Sequence, residues 1–204
     1  MIIAGITGTI GTGKSTVTAM FAEMGAFIID YDAVAHEVIE PGKPAWQEII
    51  DSFGKDLLNE DQTIDRKKLA PIVFNNLEKL RKLDSIVHPA IAEAVQRLID
   101  EKKRIDPDGL IIEDIPLLLE AGPEIAHAVV DKIIVIFSSP EVQFKRLIAR
   151  GMSEEDAKSR IKNQIPVQEK TKYADFVINN DGPLEETRKQ VLNIYSQLTQ
   201  SKTD

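Results

Sequence analysis

The sequence predicts an α/β fold built on a five-stranded parallel sheet with helices on its faces. Five short apolar segments rich in β-branched residues recur along the chain, and segments of helical periodicity lie between them. Most of the apolar segments are continuous rather than alternating, which is typical of strands covered on both faces. Strands and helices that alternate with short connections indicate a parallel sheet. The predicted strands lie at residues 2–7, 26–30, 110–115, 132–137 and 175–179.

Two helices are predicted from the signals at their ends. Apolar residues recur at helical spacing from Val17 to Met24, and Gly25 follows where a C-terminal glycine cap would stand. This pattern predicts a helix over residues 14–24. The Ser-Pro-Glu segment at 139–141 combines an N-cap, a first-turn proline and a first-turn acid, and it predicts a helix that runs toward Arg150.

The uneven spacing of the predicted strands indicates two insertions in the sheet. About 80 residues separate the second strand from the third, far more than one crossover helix needs. We interpret residues 33–108 as a helical lobe in which Pro89 interrupts a long helix. We expect residues 140–166 to form a helical lid that closes over a site. The core of the single unit then comprises residues 1–32, 109–139 and 167–204.

The composition narrows the classes of partner. The chain has 204 residues, 43% of them hydrophobic, and no cysteine, so we expect a core formed by burial alone and a cytoplasmic location. No apolar run approaches the ~20 residues that span a bilayer, and we therefore expect no membrane partner. The net charge of -8 repels a phosphate backbone, so we expect no nucleic-acid partner, although a local field could attract a small anion.

A glycine-rich segment follows the first predicted strand. Residues 8–15, GTIGTGKS, match G-x-x-x-x-G-K-[ST], the pattern of a phosphate-binding loop between a strand and a helix. Glycine lets backbone N–H groups approach phosphate oxygens without a Cβ in the way, and the helix N-terminus adds a positive field. Lys14 would bridge phosphate oxygens, while Ser15 would bind Mg²⁺. The residues expected to hold the nucleotide are Gly11, Thr12, Gly13, Lys14, Ser15 and Thr16.

Two acidic residues lie at the end of the second predicted strand. Asp30 and Asp32 are two positions apart, so their side chains face the same way in an extended chain. If this strand lies beside the first, a carboxylate there could take the proton of an acceptor hydroxyl or hold Mg²⁺ through water. The alternative is that either acid only caps the helix that starts near Ala33, and the spacing does not decide between the two.

Arg146 and Arg150 lie four residues apart in the predicted lid and would share one helical face. Guanidinium groups that close over a nucleotide stabilise charge on a transferred phosphoryl group, whereas the alternative is a solvated basic face. A guanine-nucleotide switch is less well supported, since SSPE follows the fourth strand where an N-K-x-D segment would be expected. A kinase for a small molecule is therefore the favoured function class.

Eight segments between the first strand and about Gly182 match one known family together. The segments are ITGTIGTGKSTV, IIDYD, EPGKPAW with Phe-Gly at 53–54, IDRKKL with Val-Phe at 73–74, IVHPAI, DIPLLLE, Q-x-x-R-x-x-x-R at 143–150, and YADFVINN. In this order and spacing they resemble the dephospho-coenzyme A kinase family. One such segment would be weak support, whereas eight in register are strong.

The resemblance implies a P-loop kinase fold and ATP-dependent phosphorylation of the ribose 3′-hydroxyl of dephospho-coenzyme A, with Mg²⁺ as cofactor. It implies that Asp32 is the general base toward that hydroxyl, and we expect Asp32 and Ser15 to be the residues that meet the metal. Lys14 and the lid arginines would stabilise the phosphoryl charge, with Arg146 preferred over Arg150.

The resemblance also implies which residues contact the acceptor. The lobe would bind it through Arg66, His88 and Pro89. The DIPLLLE segment would form part of the wall beside it, and the candidates there are Asp114, Pro116, Leu117 and Glu120. Without the family, His88 would be interpreted as a helix-end residue before proline and Asp65 as a simple cap.

Some positions depart from the family pattern, and two other functions remain open. Thr9 and Thr12 replace a common glycine and serine, although neither side chain is needed to hold phosphate. Near the adenine end, where the family often has arginine, the nearest bases are Lys170 and Lys172. A kinase for another acceptor, or a nucleotide-binding switch, would carry the same loop. We expect a monomer or weak homo-oligomer whose partners are ATP and dephospho-coenzyme A.

Overall fold

The chain forms two compact units in a computed structural model that describes residues 1–120 and 122–200. The sheet unit comprises Met1–Ile29 and the chain from Lys102 onward, and the helical unit comprises Asp30–Glu101. The helical unit overlaps most of the 33–108 lobe that the sequence predicts. The last four residues of the predicted 167–204 core segment lie outside the described residues.

One sheet of five parallel strands organises the sheet unit, with the strand order β2-β3-β1-β4-β5. The strands are β1 (Ile2–Gly8), β2 (Phe27–Asp30), β3 (Leu110–Asp114), β4 (Lys132–Phe137) and β5 (Phe176–Asn179). The predicted fold class is confirmed. The expectation that β2 lies beside β1 is wrong, because the chain returns from the helical unit as β3 and β3 takes that position. In this register Asp114 of β3 lies opposite Ile6 of β1.

Helices lie between consecutive strands in the chain, as the sequence predicts. They are α1 (Lys14–Glu23), α2 (Tyr31–Glu37), α3 (Pro44–Phe53), α4 (Arg66–Phe74), α5 (Leu77–Ile105), α6 (Pro123–Val129), α7 (Pro140–Ala149), α8 (Glu154–Lys162), α9 (Val167–Lys170) and α10 (Leu184–Gln200). Ser139 caps α7 and Ser153 caps α8. The two helices contact each other, and they cover most of the segment that the sequence predicts as a helical lid. None of the described helices has the length and apolar character of a membrane span.

Both faces of the sheet are covered, which explains the continuous apolar strands. On one face, Phe21 of α1 and Val191 of α10 are fully buried against strand residues such as Ile112. On the other face, Ala126 of α6 and Leu119 of the segment after β3 belong to a second apolar cluster. Burial on both sides fixes the strands, so their carboxyl ends hold the following loops in place.

The helical unit has a core of its own. Its buried residues include Ile49 of α3, Val73 of α4 and Ile86 of α5. Pro89 lies inside α5, so the predicted interruption at this proline is wrong. Because Ile86 before it and Ala94 after it are both buried, packing along the helix outweighs the lost N–H donor, which costs ~3 kcal/mol in a helix interior.

Asp175 joins the start of β5 to β4. Its carboxylate accepts hydrogen bonds from the backbone N–H of Ile133 at 2.8 Å and from Nζ of Lys132 at 2.9 Å. Partial burial acts to raise the pKa of Asp175, but the bonds from Ile133 and Lys132 outweigh it and hold this pKa below its ordinary value. The charged carboxylate therefore stabilises the fold above the ordinary pKa, and this contribution is lost as the pH falls.

We predict that Asp175→Asn lowers the free energy of unfolding by about 1 kcal/mol at pH 7, since hydrogen bonds to a charged group are stronger than those to a neutral amide. The deficit should shrink as the pH falls below the ordinary aspartate pKa of about 4, because the wild-type carboxylate then becomes protonated. Urea unfolding followed by circular dichroism at several pH values measures both. Asp51→Asn, an exposed change in α3, is the control, and a pH-independent deficit would contradict the ion-pair explanation.

Candidate active site

The loop between β1 and α1 has a backbone that requires glycine at two positions. Gly11 and Gly13 have φ angles of +83° and +86°. A Cβ on Gly13 would lie 2.3 Å from Nδ2 of Asn180, and one on Gly11 would lie 2.9 Å from the carbonyl oxygen of Gln143. Left-handed residues within such a loop direct successive N–H groups into one concave surface that suits an anion.

The side chains of Thr9 and Thr12 form hydrogen bonds that stabilise the loop. The N–H of Thr12 donates to the carbonyl of Thr9 at 3.2 Å, and the hydroxyl of Thr12 donates to the same oxygen at 2.8 Å. The hydroxyl of Thr9 donates to Oε1 of Gln143 at 2.9 Å. Both side chains are buried, so they shape the loop from behind.

Lys14 begins α1, and its ammonium group forms an ion pair with Asp114. Asp114 ends β3 beside β1, it is 8% exposed, and its second oxygen accepts from the hydroxyl of Thr18 at 3.0 Å. The family resemblance predicts Asp114 in the acceptor wall, whereas in the structure Asp114 is in direct contact with the loop lysine. In the sequence, Asp114 is recognisable as an acidic residue at the end of a continuously apolar strand. That pattern identifies it as the partner of Lys14 only when the strand order is known.

Arg146 projects from α7 onto the back of the loop. Its Nη1 donates to the carbonyl of Thr12 at 3.1 Å and to the hydroxyl of Ser138 at 3.0 Å, and its Nη2 donates to the carbonyl of Asn180 at 2.6 Å. Arg150 is the exposed C-cap residue of α7. The two arginines therefore have different surroundings, although they lie four residues apart.

The segment that contains α7 and α8 also contacts the loop, through a residue that is not among the candidates predicted from the sequence. Gln164 follows α8, and its Oε1 accepts from the backbone N–H of Ile10 at 2.8 Å. Gln143 of α7 joins the same network, since its Nε2 donates to the carbonyl of Ser138 at 2.7 Å. No local pattern identifies Gln164, because its partner in the loop lies more than 100 positions away in the chain.

The segment after β3 carries the other candidates for the acceptor wall. The carbonyl of Pro116 accepts from the hydroxyl of Thr7 at 3.1 Å, and Leu117 is exposed. Glu120 lies 2.6 Å from Nζ of Lys170, which is fully buried at the end of α9. Lys170 is therefore occupied in an ion pair in the interior, whereas Lys172 is on the surface.

The helical unit holds the remaining candidates. Asp30 caps α2, since its carboxylate accepts from the N–H groups of Asp32 at 2.9 Å and of Ala33 at 3.1 Å. Of the two alternatives for Asp30, a carboxylate that acts on the acceptor or metal and a helix cap, the structure therefore supports the cap. Asp32 is exposed in the first turn of the same helix.

The basic candidates of this unit have partners within it. Arg66 donates to the imidazole of His36, and His88, next to Pro89 in α5, lies 3.9 Å from the carboxylate of Asp84. Asp65 caps α4 by accepting from the N–H of Lys67 at 2.9 Å. A pocket of about 340 Å³ within this unit is lined by apolar side chains and by Arg66.

Comparison with known proteins identifies relatives along nearly the whole chain. A family model described as dephospho-CoA kinase matches residues 2–186. The dephospho-CoA kinase of Aquifex aeolicus (strain VF5) is 47% identical over 195 residues, which cover 96% of this chain and 96% of that protein. A solved structure of dephospho-CoA kinase from Campylobacter jejuni is 29% identical with a TM-score of 0.64, and 98% of each chain is covered.

The fold extends beyond this family. A shikimate kinase from Acinetobacter baumannii superimposes with a TM-score of 0.53 at 14% identity, covering 100% of this chain and 96% of that one, so the likeness concerns the fold alone. The parallel sheet and flanking helices are thus those of the P-loop kinases. With a family model that matches residues 2–186 and a relative 47% identical over 96% of its length, the chain belongs to the dephospho-CoA kinase family.

Proposed function

We propose that this chain transfers the γ-phosphoryl group of ATP to the ribose 3′-hydroxyl of dephospho-coenzyme A, which yields coenzyme A and ADP in the last step of coenzyme A biosynthesis. The observation that carries the proposal is the contact of Lys14 with Asp114 beside a glycine loop, in a chain of this family. ATP and dephospho-coenzyme A are its small-molecule partners. A cytoplasmic location and a monomeric or weakly associating state remain predictions.

The loop residues bind the phosphates of ATP. Backbone N–H groups around Gly11, Gly13 and Lys14 donate to phosphate oxygens, and the N-terminus of α1 adds a positive field. Thr16, exposed in the first turn of α1, is close enough in sequence to meet the α-phosphate. Lys14 moves its charge between Asp114 and the transferred phosphoryl group, and this charge stabilises the transition state.

The oxygen donors near the loop fit Mg²⁺. Ser15 exposes a hydroxyl in the first turn of α1, and Asp114 supplies a carboxylate beside Lys14. Such a set suits a cation that keeps several waters and binds through one or two protein oxygens together with substrate phosphates. We assign Ser15 and Asp32 as metal-facing residues, and the position of Asp114 adds it to this set. Bound Mg²⁺ would neutralise negative charge on the phosphates.

Asp32 takes the proton of the acceptor hydroxyl. The carboxylate of Asp30 caps α2, so Asp32 is the acid of this pair that we assign to proton transfer. A carboxylate beside the acceptor hydroxyl can accept that proton as the phosphoryl group transfers. Arg146 and Arg150 stabilise phosphoryl charge, and the bonds of Arg146 to loop carbonyls support a role in loop shape as well.

The helical unit binds the acceptor. Arg66 at the apolar pocket combines a charge for acceptor phosphates with a surface for the less polar parts of the acceptor. His88 and Pro89 of α5 remain candidates for the acceptor from the family resemblance, although neither lines this pocket. Within the sheet unit, the candidates for contact with the acceptor are Asp114, Pro116, Leu117 and Glu120. Alanine substitution at each of these positions, followed by measurement of kcat/KM for the acceptor, tests each assignment.

The function is tested by ADP release from Mg-ATP over a panel of acceptors that includes dephospho-coenzyme A, nucleosides, nucleoside monophosphates and shikimate. We expect a strong preference for dephospho-coenzyme A, with coenzyme A as the product by mass spectrometry. Equal turnover of another acceptor would indicate a different small-molecule kinase. ATP binding without turnover of any acceptor would indicate a nucleotide-binding switch.

We predict that Lys14→Ala loses affinity for ATP and lowers kcat by at least about 100-fold, because one positive charge is lost from both the bound and the transition state. Titration calorimetry with ATP and steady-state kinetics measure the two effects. Lys189→Ala, an exposed change on α10, serves as the matched control and should have neither. An unchanged ATP titration would argue against the phosphate-binding loop.

We predict that Asp32→Asn keeps ATP binding but lowers kcat by about 100- to 10,000-fold, because the general base is lost while the loop stays intact. Asp30→Asn is the matched control, since asparagine is as good an N-cap as aspartate, and it should keep most activity. Rapid-quench measurement of a single turnover separates chemistry from product release. Wild-type turnover by Asp32→Asn at saturating substrates would refute the assignment.

A further inference from the structure

One carbonyl of the phosphate loop accepts hydrogen bonds from three side chains that come from distant segments. The oxygen of Thr12 accepts from Nδ2 of Asn180 at 2.8 Å, from Nη1 of Arg146 at 3.1 Å and from the hydroxyl of Ser138 at 3.2 Å. A carbonyl has two lone pairs, so three donors leave it little freedom to turn. The direction of this carbonyl is therefore fixed from the rear of the loop.

The fixed carbonyl determines where the next N–H group points. The peptide bond between Thr12 and Gly13 is trans, so the N–H of Gly13 points away from the Thr12 oxygen. Within the described part of the chain, the N–H of Gly13 donates to no protein acceptor. Pinning the carbonyl at the rear thus turns this donor toward the concave side of the loop.

The side chain of Asn180 is itself held in the orientation that lets its NH₂ group donate to the Thr12 carbonyl. It is 4% exposed and follows β5, and its Oδ1 accepts from the hydroxyl of Thr187 in α10 at 2.9 Å. The Thr12 oxygen can only accept, so the amide must present its NH₂ group there and its oxygen to Thr187. A second bond links the residues at the rear, since the backbone carbonyl of Asn180 accepts from Arg146 at 2.6 Å.

The close contact between Asn180 and Gly13 restricts the loop further. A Cβ on Gly13 would lie 2.3 Å from Nδ2 of Asn180, so the amide is packed directly against the backbone that it orients. If the peptide turned over, the buried amide, the hydroxyl of Ser138 and the guanidinium would all lose an acceptor. Buried donors without acceptors are costly, which opposes that rotation.

We propose that Asn180 is a positioning residue that holds the N–H of Gly13 toward the nucleotide phosphates. The proposal rests on the proposed function in one respect, namely that the loop binds ATP. Asn180 acts through the Thr12 peptide and does not touch the nucleotide itself. Its effect is to prepare one phosphate donor before ATP arrives, so that no rearrangement is needed on binding.

The decisive variant is Asn180→Asp, which keeps the acceptor for Thr187 but sets an oxygen against the Thr12 carbonyl. We expect its Kd for Mg-ADP and its KM for ATP to rise by about tenfold or more, the effect of losing one hydrogen bond to a charged group. The KM for dephospho-coenzyme A should stay near the wild-type value. Asn179→Asp makes the same chemical change at the adjacent, exposed position and should behave as wild type.

The direct readout is the amide proton of Gly13 in protein labelled with ¹⁵N-glycine. In the wild type and in Asn179→Asp this proton should move downfield when Mg-ADP binds, because a hydrogen bond to phosphate forms. In Asn180→Asp the movement should be smaller, while circular dichroism and thermal melting establish that the variant is folded. A general loss of stability would not reduce the shift of the Gly13 amide proton alone.

The possible outcomes are distinct. If folded Asn180→Asp binds Mg-ADP as the wild type does and shows the same Gly13 shift, the proposal is overturned. If that variant does not fold, Thr187→Val decides, because it only frees the amide to rotate; a weaker Gly13 shift supports the proposal and a wild-type shift overturns it. Failure of the wild type itself to bind Mg-ADP would instead overturn the proposed function, and this inference with it.

Discussion

The backbone of the loop between β1 and α1 is held in a shape that its own residues permit but do not enforce. Glycine at positions 11 and 13 allows positive φ angles, yet glycine also populates many other conformations. Side chains from later segments restrict the loop, chiefly Asn180, Arg146 and Gln143. Their buried polar groups need partners, and the loop carbonyls and hydroxyls supply them. The directions of the loop N–H groups, and hence the site for an anion, follow from that pairing.

The charge at the site depends on the sheet in the same way. Lys14 is held by Asp114, which reaches it only because β3 lies beside β1 with Asp114 opposite Ile6. The hydroxyl of Thr18 holds the other carboxylate oxygen. An ion pair of this kind orients the lysine in a partly buried position, where an isolated charge would be poorly solvated. A phosphate that joins the pair gains a preorganised cation.

The two units divide the chemistry of the proposed reaction. The sheet unit carries the residues for the donor, and two apolar layers fix its strands. The helical unit has a separate core and carries Asp32 and Arg66, the candidates for the acceptor. The capping bonds of Asp30 and Asp65 show how residues in a functional motif can serve the local backbone. In the proposed reaction the neighbouring residues Asp32 and Arg66 act on the acceptor.

Local sequence patterns were enough for the features that depend on neighbours in the chain. These are the alternation of strands and helices, the glycine loop before α1, and the caps at Ser139 and Asp65, all of which arise from short-range sterics and hydrogen bonds. Tertiary structure decided that β3 separates β2 from β1, that α5 continues through Pro89, and that Asp114 and Asn180 serve the loop. Such features depend on burial and on pairing between residues far apart in sequence, and no local pattern encodes which distant partner satisfies a buried polar group.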